Sequence, residues 1–369
     1  MKKTTKIVLC TLAICASTTL IASEAYTPIS YGVKSQGMGG VSIANVQGAE
    51  SGFANPALLS FVKSNEVSLG GTYAKQDADI TANDGSGIQM YTNKEDTLSP
   101  YLCFNYHLTE NLNIGAGVTD YSLKNYFHSN GNTSGTELQK RRVSIPLSYA
   151  LHNFSLGATL IYEKLTYTFT DEEVSSTIND DNFGYDLGLA YNFKEIGLLI
   201  AIDYKLQIKH PLYDGIDKFD INSASEIGIG ASWNILNSPH MVAVDYKRIN
   251  SSEMISDVSN IETFCKDQNV FAIGYMYDAK KWQARVGYKY VSSLYTGTNS
   301  FIDVIFPFAT TSHYTVGGSY MFNNSFSVDM SMLYATYNKD SYFDDDGDII
   351  AYNVNSNPIS LSLGLNYTF

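Results

Sequence analysis

Beyond residue 22 this sequence has no run of about twenty uninterrupted apolar residues, so a membrane helix is not available to it. Charge is sparse at 17% of residues, and the basic kind is the scarcer, with 24 Lys and Arg against 37 Asp and Glu. A formal net charge of −13 argues against a nucleic-acid partner, because phosphate binding needs a positive surface. Of the 4 cysteines, Cys10 and Cys15 lie in an N-terminal apolar stretch. Cys103 and Cys265 fall on separate strand-like runs and read as unpaired. The histidines lack metal-ligand spacing and no Ser/His/acid set converges, so neither a metal, a cofactor nor an enzyme is expected. Asp344-Asp345-Asp346-Gly347-Asp348 resembles a calcium loop superficially, but no Glu closes it, and a solvated loop is the better reading.

The N-terminus reads as a targeting segment. Lys2, Lys3 and Lys6 precede an apolar run from Ile7 to Ala22, and Ser23-Glu24-Ala25 offers small residues for cleavage after Ala25. A lipoprotein signal at Cys15 is disfavoured by the bulky Ile14 before it. The chain therefore divides into a signal peptide, 1–25, a small-residue segment, 26–64, and a long strand-rich region, 65–369.

From about Val67 the pattern has period two. In the last stretch Ile359, Leu361, Leu363, Leu365, Tyr367 and Phe369 share one face, and Ser360, Ser362, Gly364, Asn366 and Thr368 the other. Phe183 to Phe193 repeats the alternation, as does the run from Leu198 through Ile208. One face wants lipid and the other water. Division at the turn signals gives about fourteen such runs, an even number suited to an antiparallel transmembrane β-barrel. Short turns alternate with long polar loops near 77–97, 123–140, 170–181, 210–222, 252–267, 293–311 and 338–356. That rhythm is the one barrels show, with short turns periplasmic. The barrel-closing run ending in Tyr367 and Phe369 reads as an insertion signal for barrel-assembly machinery. Residues 26–64 read as a plug small enough to enter the lumen.

The run from Gly37 to Leu59, with Gly37, Gly39, Gly40 and the triplet Asn55-Pro56-Ala57, resembles the N-terminal hatch of FadL-type outer-membrane transporters of long-chain fatty acids and aromatic hydrocarbons. Trp282–Tyr290, His313–Tyr334 and the closing run are similar to that family's last four strands. The resemblance implies a fourteen-strand barrel with a hatch, in the outer membrane of a Gram-negative bacterium. It implies passive uptake of a hydrophobic small molecule, which leaves sideways through a gap beside a kinked strand. Lipid and lipopolysaccharide are the implied surroundings, and a monomer the implied form.

By strand parity Arg142, Lys205, Lys247, Arg285 and Lys289 face the lumen. There they either hold a ligand carboxylate or pair with inward Asp186, Asp203, Asp245 and Asp329. Inward Ile161, Leu199 and Leu333 either line an apolar path or pack the hatch. In the family the third and fourth external loops form a capture groove, but here 170–181 and 210–222 are short and acidic. Phe301, Ile302, Val304, Ile305, Phe306 and Phe308 make an apolar run in the sixth external loop that either replaces this groove or folds over the mouth. The alternative function is a non-transporting barrel, an assembly or secretion partner or a structural porin. A hydrophobic cavity beside the triplet favours transport, and a lumen filled by side chains opposes it.

Overall fold

The computed structural model of the chain describes residues 31–75, 78–83, 88–93, 95–129, 132–171, 174–213, 218–256, 265–294, 310–345 and 348–369. The expected signal peptide, 1–25, and the apolar run 301–308 lie outside these.

Fourteen antiparallel strands close into one wall. They are β1 Glu66–Lys75, β2 Asp96–His107, β3 Leu112–Ser129, β4 Asn132–Leu151, β5 Phe154–Asp171, β6 Val174–Phe193 and β7 Leu198–Lys205. The other half comprises β8 Glu226–Asn234, β9 His240–Ile249, β10 Gln268–Asp278, β11 Trp282–Val291, β12 Ser312–Met321, β13 Phe326–Asp345 and β14 Ile359–Thr368. Each pairs with its chain neighbours, and β1 pairs with β14 from Glu66↔Thr368 to Lys75↔Ile359. Closure gives each of these fourteen strands a partner on both sides, which the membrane interior demands.

Alternation decides the facing. Leu187, Leu189, Ile202, Ile229, Val286, Val316, Leu361 and Leu363 point outward, and the residues between them are buried inward. Near the short turns an aromatic belt runs around the wall: Phe104 with Phe369, Tyr191 with Phe193, Tyr277 with Trp282, and Tyr320 with Phe322. Such rings suit the headgroup level, apolar in body and polar at the tip. At the other rim Asp120, Arg141, Lys164 and Asp181 form an outward charged row across β3 to β6, marking where lipid contact ends.

Four of the expected polar loops are largely strand. Residues 123–140 and 170–181 are the arms of two long hairpins, and 338–356 continues β13 before returning as Asp348–Ser356. Residues 78–83 and 88–93 pair with each other and, with 348–356, fill the upper wall between β13 and β3. Hydroxyl and amide pairs such as Thr166–Asn179 and Thr168–Thr177 hold one of these arms together. Its outward face is polar and its apolar residues, Leu165 and Tyr167, turn inward, the reverse of the lipid-facing alternation lower in the wall.

The lumen also departs from a uniformly wet interior. After Lys205 the phase of β7 breaks, and Ile208 turns inward against Gly184 instead of facing lipid. Pro211–Tyr213 then pairs with Lys218–Ile221, which pairs with Ile255–Ser256, giving a small sheet laid across the barrel mouth. Its buried Leu212 and Ile221, with Met254, meet Tyr121, Leu123, Leu138, Leu165, Tyr167, Val270, Val291 and Leu333 from the wall. The upper lumen is thus filled by a packed apolar cluster under a lid, and this apolar chamber holds side chains.

Candidate functional site: hatch, polar belt and apolar chamber

Residues 31–64 lie inside the barrel, where small residues allow backbone to approach backbone. A Cβ on Gly37 would come 3.0 Å from Cα of Gly317, and one on Gly39 would come 2.8 Å from the Tyr288 amide nitrogen. Gly39 and Gly40 also have φ of 71° and 80°, a region that favours glycine. The wall answers with its own glycines. A Cβ on Gly157 would sit 2.3 Å from the Ala57 nitrogen, and one on Gly188 would sit 2.0 Å from Asn55 Oδ1. Gly274 and Gly287 give the same room to Met38 and Gly39, and Gly117 to Phe53. This belt of inward strand glycines is the seat of the hatch, and parity reasoning about charged residues passed over it. Its sequence signal is a small residue recurring at inward positions of neighbouring strands.

The Asn55-Pro56-Ala57 triplet is an anchor. Asn55 Oδ1 accepts from the Ala57 amide at 3.0 Å, capping a 3-10 turn that Pro56 begins. Its Nδ2 donates to Ile43 O at 3.0 Å and to Ile202 O of the wall at 3.2 Å. The Ala57 carbonyl accepts from Ser155 at 2.8 Å and Ser148 at 3.2 Å. Below, Lys34 reaches Asp329 at 3.6 Å and Glu66 at 3.9 Å. Burial works against the Lys34 charge, but Asp329 and Glu66 outweigh it and hold its pKa above the ordinary lysine value. Glu50 accepts from Tyr101 at 2.5 Å and Ser68 at 3.0 Å, and burial pushes its carboxyl up to about 7.

Above the hatch lies a belt of paired charges. Arg142 binds Glu163, donates to Tyr31 of the hatch at 3.3 Å and to Ser223 of the lid at 3.3 Å. It therefore joins wall, hatch and lid. Lys140 donates to Ser223 at 2.7 Å, and Ser223 to Glu163 at 2.6 Å. His210, fully buried in the lid, stands between Glu163 at 3.0 Å and Asp180 at 2.8 Å. Lys205 donates to Ala54 O of the hatch at 2.8 Å and Asp203 at 2.5 Å, with Asp186 at 3.6 Å. Lys247 faces Glu226 at 3.3 Å, while Asp245 accepts from the Ser42 and Ile43 amides at 2.6 and 2.9 Å. Tyr31 and His210 carry no signal in parity alone, while Glu163 shares the inward facing of Ile161 on β5 and was passed over.

The eight inward residues singled out from sequence do not form one group. Arg142, Lys205, Lys247 and Lys289 converge on the belt, the last three around a cavity of about 30 Å³ shared with Tyr31, Asp203, Glu226 and Asp245. Arg285 is lower, donating to Ser319 at 2.6 Å and lining, with Lys34 and Met276, a separate cavity of about 230 Å³ under the hatch. Leu199 packs against Ile43, Ala44, Ala57 and Leu58 of the hatch, and Leu333 belongs to the apolar chamber. Ile161 faces inward on β5 between Ser144 and Gly184. Tyr367 and Phe369 face outward, their rings 6.1 Å apart.

A model of the family described as Gram-negative porin matches residues 145–345, more than half of the chain. The chain belongs to the Gram-negative porin family. This porin is a protein of the outer membrane of a Gram-negative bacterium. No curated protein matches it. Among solved structures, a FadL homologue of Pseudomonas aeruginosa is similar at a TM-score of 0.76 and 14% identity, over 93% of this chain and 99% of that one. The P. putida toluene transporter TodX follows at 0.73 and 16%, over 92% and 99%. The Ralstonia pickettii toluene transporter TbuX gives 0.67 and 16%, also over 92% and 99%. Identities this low establish a shared fold, the FadL barrel.

One break in the porin's wall falls at hatch level. Between β3 and β4 the pair Ile114↔Leu147 is followed directly by Gly117↔Ser144, leaving Gly115, Ala116, Ile145 and Pro146 out of the ladder. Pro146 has no amide to donate. Its ring lies 2.8 Å from where a Cβ on Gly115 would be and 2.9 Å from one on hatch Gly52.

Proposed function

We propose that this porin passes hydrophobic compounds, long-chain fatty acids or aromatic and aliphatic hydrocarbons, passively across the outer membrane, breaking no bond. The observation that carries the reading is the order of parts along the lumen: an apolar chamber under the lid, a hatch below it, and an unlatched wall seam beside the hatch. An apolar solute is stabilised in such a chamber by roughly 25 cal/mol per Å² of its surface removed from water. Lateral exit at Gly115–Pro146 spares it the aqueous periplasm. The toluene transporters that share the fold point the same way.

The remaining assignments follow from this reading. The chain acts as a single copy among lipid and lipopolysaccharide, Tyr367 and Phe369 present the insertion signal to the assembly machinery, and Phe301–Phe308 captures ligand outside. Deleting 301–308 tests the capture role, which an unchanged uptake rate would remove. The packed chamber, filled by Leu123, Leu138, Leu165 and Leu212, favours a second reading, a non-transporting barrel. Uptake of labelled oleate and toluene by cells with and without the chain separates the two. Faster uptake with the chain supports the channel, and equal uptake supports the structural barrel.

A further inference from the structure

Resting on the uptake reading, the charge pattern of the belt narrows the substrate class. Among the described residues, five inward cations there, Lys140, Arg142, Lys205, Lys247 and Lys289, stand against five inward acids, Glu163, Asp186, Asp203, Glu226 and Asp245. Each of these cations already has an acid or another polar partner beside it. Lys205 has three N–H donors, with Ala54 O, Asp203 and Asp186 around them. Arg142 is spent on Glu163, Tyr31 and Ser223, Lys247 faces Glu226, and Lys289 lies in the field of Asp245. What is left over is acceptor capacity. No hydrogen-bond donor among the described residues reaches Oδ1 of Asp245, which is buried and lines the belt cavity, whereas buried Asp186 and Asp203 hydrogen-bond to each other.

A ligand carboxylate brought here would have to displace one of these acids from its cation, or remain a buried charge beside like charges. Both are costly in a medium of low polarity. A hydroxyl or amine group instead offers the missing donor, and a hydrogen bond to a charged acceptor is of the stronger kind. At about 30 Å³ the cavity has room for such a head group and not for a chain. Val270 lines the cavity and also belongs to the apolar cluster above, so a tail leaving the cavity upward meets apolar side chains that must part to admit it.

We infer that the belt selects hydrophobic molecules carrying a hydrogen-bond donor, such as alcohols, phenols or amines, and discriminates against fatty-acid anions. The test is retention of radiolabelled 1-decanol, undecane and decanoate at pH 8 by the full chain in nanodiscs, with empty nanodiscs subtracted. Decanol is expected to bind at least about tenfold more tightly than either of the others, the ratio set by one charged hydrogen bond of roughly 1.4 kcal/mol. Glu226→Gln, which leaves Lys247 without its acid, is expected to narrow the preference over decanoate. Decanoate bound as tightly as decanol overturns the inference, as does undecane bound as tightly as decanol. Retention of none of the three removes the uptake reading itself. The wild-type comparison decides the matter even if the variant does not fold.

Discussion

Removing the Asn55 side chain probes the hatch seat at its most committed point. Asn55→Ala deletes a buried amide that makes three hydrogen bonds, to the Ala57 amide and to the Ile43 and Ile202 carbonyls. Each is worth about 1 kcal/mol net, and more where the abandoned partner stays buried without a substitute. The docked hatch should therefore lose roughly 3 kcal/mol relative to a displaced one, about a hundredfold in the population of displaced hatch. The assay is hydrogen exchange of hatch amides in the membrane-embedded protein, read against wall amides as an internal reference. Hatch amides should exchange faster in the variant while the wall is unchanged. Gly188→Ala should act alike, because its Cβ would stand 2.0 Å from Asn55 Oδ1, whereas outward Gly71→Ala should not. Equal hatch exchange in wild type and Asn55→Ala would refute the idea that the triplet anchors the hatch.

Three further outcomes are expected. The Glu50 carboxyl, raised from 4.5 to about 7, makes the neutral acid the favoured docked form. Its contribution to hatch docking is then complete below about pH 4.5 and lost as pH rises through 7, by roughly 3 kcal/mol at most. Hatch exchange should quicken, beyond the intrinsic base catalysis seen in wall amides, between pH 5 and pH 8, and Glu50→Gln should abolish the excess. Arg142→Met leaves Glu163 buried without its guanidinium, a loss of about 3 kcal/mol, and should make lid residues 206–213 and 218–225 open to limited proteolysis; the double variant Arg142→Met, Glu163→Leu should recover most of it. Pro146→Ala supplies the amide missing from the seam and should slow hydrophobe uptake without weakening ligand retention; unchanged uptake would remove the exit from this place.

The wall was legible because lipid outside and a packed lumen inside force strict alternation. The runs 268–278, 281–292 and 312–323 nearly coincide with β10, β11 and β12. The hairpin arms were not, since their outward faces are polar, with Thr166, Thr168 and Thr170 against Asn179, Thr177 and Ser175, while Leu165 and Tyr167 turn inward, the reverse of the lipid-facing pattern. The lid was hidden for another reason. Leu212, Ile221 and Met254 are isolated among polar residues, and only the inward fold of two loops gathers them. Parity identified the inward cations but not what lies at their height: Arg285 shares the facing of Lys289 on β11, yet four residues at about 3.3 Å each put it below the hatch. The inward fold of the lid brings His210 to Glu163 across 47 residues, a meeting no local pattern encodes.

Passage of a hydrophobe, on this account, requires the hatch to leave its seat, and a reversible tether tests that directly. Ser60 of the hatch and Ser148 of β4 have their Oγ atoms 2.5 Å apart, so Ser60→Cys with Ser148→Cys places two thiols within disulfide reach. Uptake of labelled toluene by cells carrying the oxidised protein should fall to that of cells without the chain and return on reduction. Uptake that is the same in the oxidised and reduced protein would contradict the account.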